Sequence, residues 1–462
     1  MFLTALSYFV VYKIIISKLG INFMGVWALI LGYTSILSQS VSSINTNLIR
    51  KIAGFSNIEF TDKVSTLIIN ALFIYLFFFL LLLAVVLLVL TFLMPSVFFK
   101  LVGYKVVGVL ILGNFLGLLT TILSSSLDGK NLFYIKNSLT IVALTVAFIF
   151  FISSINYIGI WSVALMSLIQ SVLSFILIYT YVKKKYNLKF RFSVLSMQQC
   201  KELLNDSWKL QLISLTVLCY EPIIKYFLSI YGISYVAIYE ISNKIIFQIK
   251  NLFSIANQTL VPQIVELHKK EVIKFSEFYY VNKQKTVEYA FFLFSISILL
   301  LPIISIFFLK STSKEFYYIF CIISVGNLLN TLAIPSHISF VSINKINTPL
   351  LSFIAILFFL IVFCPLFGYY FNGIGVIIAS ALALLLGSLV TIIYFEHLYK
   401  KNNNIKQFSV DYLGIIIYLS SIIFICNFRL TNYYIIFIYI GLFICVVSNL
   451  IFRLKLYPKP TI

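Results

Sequence analysis

The chain has 462 residues, of which 61% are hydrophobic and 10% charged, and it carries a formal net charge of +20. That balance excludes an ordinary soluble domain and points to a polytopic membrane protein. The apolar runs are about 20 residues long and lack strand-like alternation, so they read as helices rather than barrel strands.

Fourteen spans are expected, at about 1–17, 25–47, 66–94, 106–127, 137–155, 159–182, 208–230, 235–261, 287–309, 316–341, 349–371, 374–398, 411–428 and 432–452. The first is short for a full crossing. It has no basic lead-in and no A-x-A-like site before Lys18, so it reads as a retained span rather than a cleaved signal. The longest polar segments, about 183–207 and 263–286, leave no room for a soluble domain. Lysines and arginines gather after the even-numbered spans, as at Arg50, Lys130, Lys184, Lys269, Lys345 and Lys401. The other side has only Lys18, Lys100, Lys105, Lys310, Lys314 and Arg429. The positive-inside rule therefore puts both termini in the cytoplasm. It also assigns the net charge to topology and contact with anionic membrane lipid, not to nucleic acid.

The two halves align. Leu19-Gly20-Ile21-Asn22-Phe23-Met24-Gly25-Val26-Trp27 matches Tyr231-Gly232-Ile233-Ser234-Tyr235-Val236-Ala237-Ile238-Tyr239 at an offset of 212. Asn156-Tyr157-Ile158-Gly159-Ile160 matches Asn372-Gly373-Ile374-Gly375-Val376. Six spans per copy is an even number, so the copies share one orientation and imply a pseudo-two-fold along the membrane normal. The expected organisation is all-α: an N-lobe at 1–185, a cytoplasmic linker at 186–207, a C-lobe at 208–400, and two extra spans with a tail at 401–462.

Ionisable residues mark the hairpin at 219–262, where a membrane span should not tolerate them: Glu221 and Lys225 on one arm, Glu240, Lys244 and Lys250 on the other. At 100° per residue, Glu240, Lys244, Gln248, Asn251, Ser254 and Gln258 form one stripe. Such a stripe either lines a wet cavity or holds structural i,i+4 ion pairs. The repeat offset carries Lys225 back to Lys13, and Asn251, Ser254 and Gln258 back to Gln39, Ser42 and Thr46. Two such lysines could clamp a doubly negative group, or each could snorkel to the surface. Lys13, Lys225, Lys244 and Lys250 stand against Glu221 and Glu240, so the spans lean positive and imply an anionic cargo. His337, after Pro335, reads either as a cavity group or as a satisfied interior histidine. The six cysteines are scattered singly, without metal or redox spacing, and no Walker A sequence is present.

The opening from Leu19-Gly20 to Trp27 with Arg50 following, the acidic Glu221, the stretch from Gly232 to Glu240 with Lys244 and Pro262, and the helix starts at Gly159 and Gly375 together resemble the multidrug/oligosaccharidyl-lipid/polysaccharide exporter superfamily, in its Wzx-type polysaccharide flippase branch. The resemblance spans the chain. It implies a transporter, not an enzyme, that needs no cofactor or metal and sits in the bacterial cytoplasmic membrane. The implied cargo is an undecaprenyl-diphosphate-linked oligosaccharide repeat unit, as used for O-antigen or capsule, moved to the outer leaflet by alternating access. Lys13, Lys225, Lys244 and Arg50 would bind it, and Glu221 and Glu240 are the candidates for coupling to a proton or cation. Polysaccharide polymerase and chain-length machinery are the implied protein partners. The alternatives are another exporter of the same fold, for drugs or a peptidoglycan precursor, or a membrane glycan polymerase.

Overall fold

A computed structural model describes residues 2–38, 42–53, 60–92, 96–186, 196–311, 313–399 and 412–426. All regular structure among them is helical: α1 (Phe2–Leu19), α2 (Ile21–Ser38), α3 (Ser42–Ala53), α4 (Phe60–Phe92), α5 (Ser96–Asp128), α6 (Phe133–Ile158), α7 (Ile160–Tyr186), α8 (Met197–Tyr231), α9 (Ile233–Gln258), α10 (Val261–Lys270), α11 (Val272–Leu299), α12 (Leu301–Leu309), α13 (Lys314–Leu332), α14 (Ile334–Ser342), α15 (Asn347–Tyr399) and α16 (Tyr412–Cys426).

Thirteen of the fourteen expected spans coincide with these helices, and the last, at 432–452, lies outside the described residues. Proline decides where two apolar runs bend. Pro302 and Pro335 open α12 and α14, where a missing N–H costs nothing, so the ninth and tenth spans each break in two, the ninth by 47°. Pro222 instead lies inside a continuous α8 and gives Leu218 no N–H partner. The 53 residues of α15 would reach about 80 Å if straight, against a hydrocarbon core of about 30 Å. A break at Asn372 makes them two crossings.

Residues 39–41 of the second expected span, 25–47, lie outside the described residues, between α2 and the amphipathic α3. Two expectations change. The polar segment at 263–286 is helical through α10 and α11. Helix also begins at Met197, within the segment assigned to the linker, and Asn70 of α4 holds that start: its side-chain amide donates to Gln199 Oε1 at 2.8 Å and its oxygen accepts from the Ser196 N–H at 2.9 Å. The chain forms two compact units, Met1–Lys225 and Tyr226–Ile462, that divide inside α8.

The duplication is visible in the backbone. Left-handed φ values occur at Gly20 and Gly232, at Asn131 and Asn344, and at Gly159 and Asn372, pairs separated by 212, 213 and 213 residues. The last pair corrects the alignment of Gly159 with Gly375. The residue sharing its conformation is Asn372, at φ 54°, ψ −143° against φ 55°, ψ −128°. Packing repeats at the same step. A Cβ on Gly113 would lie 3.5 Å from the Leu168 Cα, and one on Gly326 would lie 2.7 Å from the Ala381 Cα, 213 residues on in both partners. In membrane helices small residues allow such close backbone approach. Here they seat α5 on α7 in one unit and α13 on α15 in the other.

Candidate functional site

The two arms of the charged hairpin turn at Gly232, whose φ of 143° only glycine adopts without strain. On α8, Lys225 is 1% exposed and its Nζ lies 3.3 Å from Glu221 Oε2. Its stem lies over Gly32 of α2, where a Cβ would come 3.0 Å from Lys225 Cδ and 3.5 Å from Nζ. A glycine is thus what gives the buried amine its channel between the helices. On α9, Glu240 is fully buried and Lys244 Nζ stands 3.8 Å from its Oε1, a charge contact too long for a hydrogen bond.

Along the α9 stripe exposure rises from buried Glu240 through half-buried Lys244, Gln248, Asn251 and Ser254 to exposed Gln258, whose amide lies 3.5 Å from Ser254 Oγ. The opposite face is not purely apolar. Ile246 and Phe253 are buried there beside Asn243 and Asn257, and the Asn282 amide of α11 donates to Asn257 Oδ1 at 2.7 Å. Lys250 is the charged neighbour of half-buried His337, whose ring stands edge-on to Phe353 at 5.4 Å.

The first-lobe counterparts are placed differently. Lys13 is exposed on α1, where Lys225 is buried on α8. Ser42, Thr46 and Arg50 belong to α3. Gln39 lies outside the described residues.

Sequence reasoning also missed charges lying inside its own span boundaries. Lys209, Glu288, Glu396 and, at an edge, Asp411 belong with the six already named, so five lysines meet five carboxylates. The positive lean of the spans as a whole disappears. Glu288 of α11 is buried and accepts from the Gln284 amide at 3.0 Å, while Glu396 of α15 pairs with Lys283 of α11. Counting ionisable residues run by run would have found the acids, but the partnership of Lys283 with Glu396, 113 residues away, is tertiary. The asymmetry between halves survives: Lys13 is the only acid or base in the first six spans.

Paired helices with left-handed breaks at a constant step, and ion pairs within them, define a duplicated helical membrane protein. The solved structures with this fold include a multidrug resistance MATE family transporter of the MOP superfamily in an inward-facing conformation (TM-score 0.71, 15% identity, 86% of this chain and 94% of that one). The lipid II flippase MurJ, inward closed, is similar over 99% of this chain and 100% of its own (TM-score 0.67, 17% identity). A MOP superfamily transporter from Pyrococcus furiosus is similar over 86% and 93% (TM-score 0.52, 15% identity). No curated protein matches the chain. A family model described as polysaccharide biosynthesis protein matches residues 2–268, more than half of the chain, so this protein belongs to the polysaccharide biosynthesis protein family.

Proposed function

We propose that the protein is a flippase that carries undecaprenyl-diphosphate-linked oligosaccharide repeat units from the cytoplasmic to the outer leaflet of the bacterial cytoplasmic membrane, by alternating access, with both termini cytoplasmic. The family match supports polysaccharide biosynthesis, and the fold is that of transporters. The single observation that carries the cargo reading is Lys225: an ammonium 1% exposed, its stem over Gly32 of α2, in a half of the chain whose six expected spans include no carboxylate within their bounds. A diphosphate cannot enter hydrocarbon unpaired, whereas its polyprenyl tail can remain in lipid. Lys225 and Lys244 offer it cations already held by Glu221 and Glu240, so binding exchanges one anion for another and leaves the carboxylates to take up a proton or cation. Lys13 and Arg50 extend the cationic set. A cargo of charge about −2 moving outward also gains about 2.3 kcal/mol per charge per 100 mV of inside-negative potential.

The test is loss of the protein in its host, followed by leaflet-resolved analysis of the polyprenyl-linked glycans. Repeat units should accumulate on the cytoplasmic leaflet while surface glycan disappears. The MurJ-like fold over nearly the whole chain favours one second reading, a peptidoglycan-precursor cargo. Accumulation of that precursor instead of repeat units would select it.

A further inference from the structure

Three connections on one side of the membrane meet at a single hydroxyl. His268 follows the eighth expected span, Lys345 the tenth and Tyr399 the twelfth, all even-numbered, so all three lie on the face assigned to the cytoplasm. Tyr399, half-buried at the end of α15, is held from several directions. Its ring lies 5.1 Å from that of Phe275 of α11 and 4.7 Å from that of Phe395, and its carbonyl accepts from Ser276 Oγ at 3.3 Å. The half-buried His268 ring stands edge-on to the same Phe275 at 5.2 Å. Lys345, exposed beside the left-handed Asn344, donates to the Tyr399 hydroxyl at 3.3 Å, and that hydroxyl lies 3.5 Å from His268 Nε2.

The neighbouring acids are engaged elsewhere. Glu266 pairs with Lys270 at 2.7 Å, Glu271 with Lys274 at 3.0 Å, and Glu396 with Lys283. Glu277 and His397 stand two positions from Phe275 and Tyr399, on other faces of their helices. Lys269 is exposed to solvent on α10, and the charge that acts on His268 is that of Lys345. At the repeat offset of 213, Tyr399 answers Tyr186 at the end of α7, but Lys345 answers Leu132. The tyrosine belongs to the repeated frame, and the cation does not.

We propose that Lys345, His268 and Tyr399 form a binding site for a phosphate oxyanion, carried by a lipid headgroup or free in solution, and that the site takes up a proton as it fills. With His268 neutral, the hydroxyl accepts from Lys345 and donates to Nε2, so its hydrogen bonds are complete. With His268 protonated, Nε2 becomes a donor and the hydroxyl turns its own proton elsewhere. Two cations then flank one hydroxyl with no carboxylate between them, and an oxyanion accepts from all three groups. Burial, and then Lys345, hold His268 below its ordinary 6.5. A bound anion raises that value, so affinity rises as pH falls.

Sulfate is the probe for the free oxyanion, because it stays doubly charged across the pH range used. Thermal stabilisation of the detergent-solubilised full chain by sulfate, over chloride at equal ionic strength, should be greater at about pH 5.5 than at about pH 8. Lys345→Met and Tyr399→Phe, the second of which keeps the ring packing, should each weaken sulfate binding at least about ten-fold. His268→Gln should abolish the pH dependence, and Lys184→Met, which removes a lysine from the same side, should change neither. Nanodiscs of phosphatidylglycerol, compared with phosphatidylcholine, distinguish the source. Stabilisation there that needs Lys345 and Tyr399 assigns the site to a headgroup, and a response to sulfate alone assigns it to a free anion. Three results would overturn the proposal: equal losses in Lys184→Met, no effect of Lys345→Met and Tyr399→Phe with either probe, or a pH dependence that survives His268→Gln. None of these readouts requires transport, so only the assignment to the cytoplasmic side rests on the flippase reading.

Discussion

Asn372 sits at φ 54°, ψ −143°, a region that only glycine enters freely, and its repeat partner Gly159 is a glycine in nearly the same conformation. Holding a non-glycine residue there costs about 1–3 kcal/mol. Replacing it by glycine releases that strain but adds freedom to the unfolded chain, which takes back about 0.5–1 kcal/mol. The asparagine side chain is exposed, so no buried contact is lost with it. Asn372→Gly should therefore stabilise the protein by about 0.5–2 kcal/mol, and Gly159→Asn should destabilise it by a similar amount. Reversible unfolding of the detergent-solubilised protein, followed by helix content against denaturant, measures both. Destabilisation by Asn372→Gly of about 1 kcal/mol or more, or a neutral Gly159→Asn, would show that the two breaks do not carry the strain their dihedrals imply.

Removing the Lys225 ammonium with Lys225→Met should lower surface glycan by about ten- to a hundred-fold at equal expression, the worth of one charge-assisted hydrogen bond of about 1.5–3 kcal/mol. Adding Glu221→Gln should not restore it; recovery in the double variant would make the pair structural and remove Lys225 from cargo binding. Asn70→Ala should cost about 1–3 kcal/mol and raise deuterium uptake at 196–203, because it leaves the Gln199 amide and the Ser196 N–H without their buried partner; unchanged exchange would refute that anchor. Burial, and then Lys345, hold His268 of α10 below its ordinary pKa of 6.5, and its Nε2 lies 3.5 Å from the Tyr399 hydroxyl. The folded state thus binds fewer protons at that site. Its contribution is present above about 6.5 and is lost as pH falls through the lowered value, so acidification should loosen α10. His268→Gln should flatten that part of the stability–pH profile, and an unchanged profile would exclude the histidine as its source.

The helices were legible in the sequence because their signals are local. Apolar length marks the spans, and the alternation of charge between loops implies their orientation. The glycine-centred likeness of Leu19 to Trp27 and Tyr231 to Tyr239 marks the duplication, and the structure repeats left-handed backbone at Gly20 and Gly232. The i,i+4 pairs Glu221–Lys225 and Glu240–Lys244 were equally readable, since one helical turn fixes their spacing. The N-terminal stripe, carried over by the offset, falls partly on Gln39, outside the described residues, and partly on Ser42 and Thr46 of α3. The charge tally failed for a simpler reason: Glu288 and Glu396 were inside the chosen spans and were not counted.

Sequence by itself determined what the bilayer demands of a chain: long apolar helices, with cations collected on one side of them, because hydrocarbon leaves backbone groups no partner but their own helix. Tertiary structure decided which distant side chains meet. Gly32 makes room for the Lys225 stem, Asn70 holds the start of α8, and Lys283 finds Glu396. Those meetings depend on helix register and on the close approach of packed backbones, quantities summed over whole interfaces and written in no short stretch of residues.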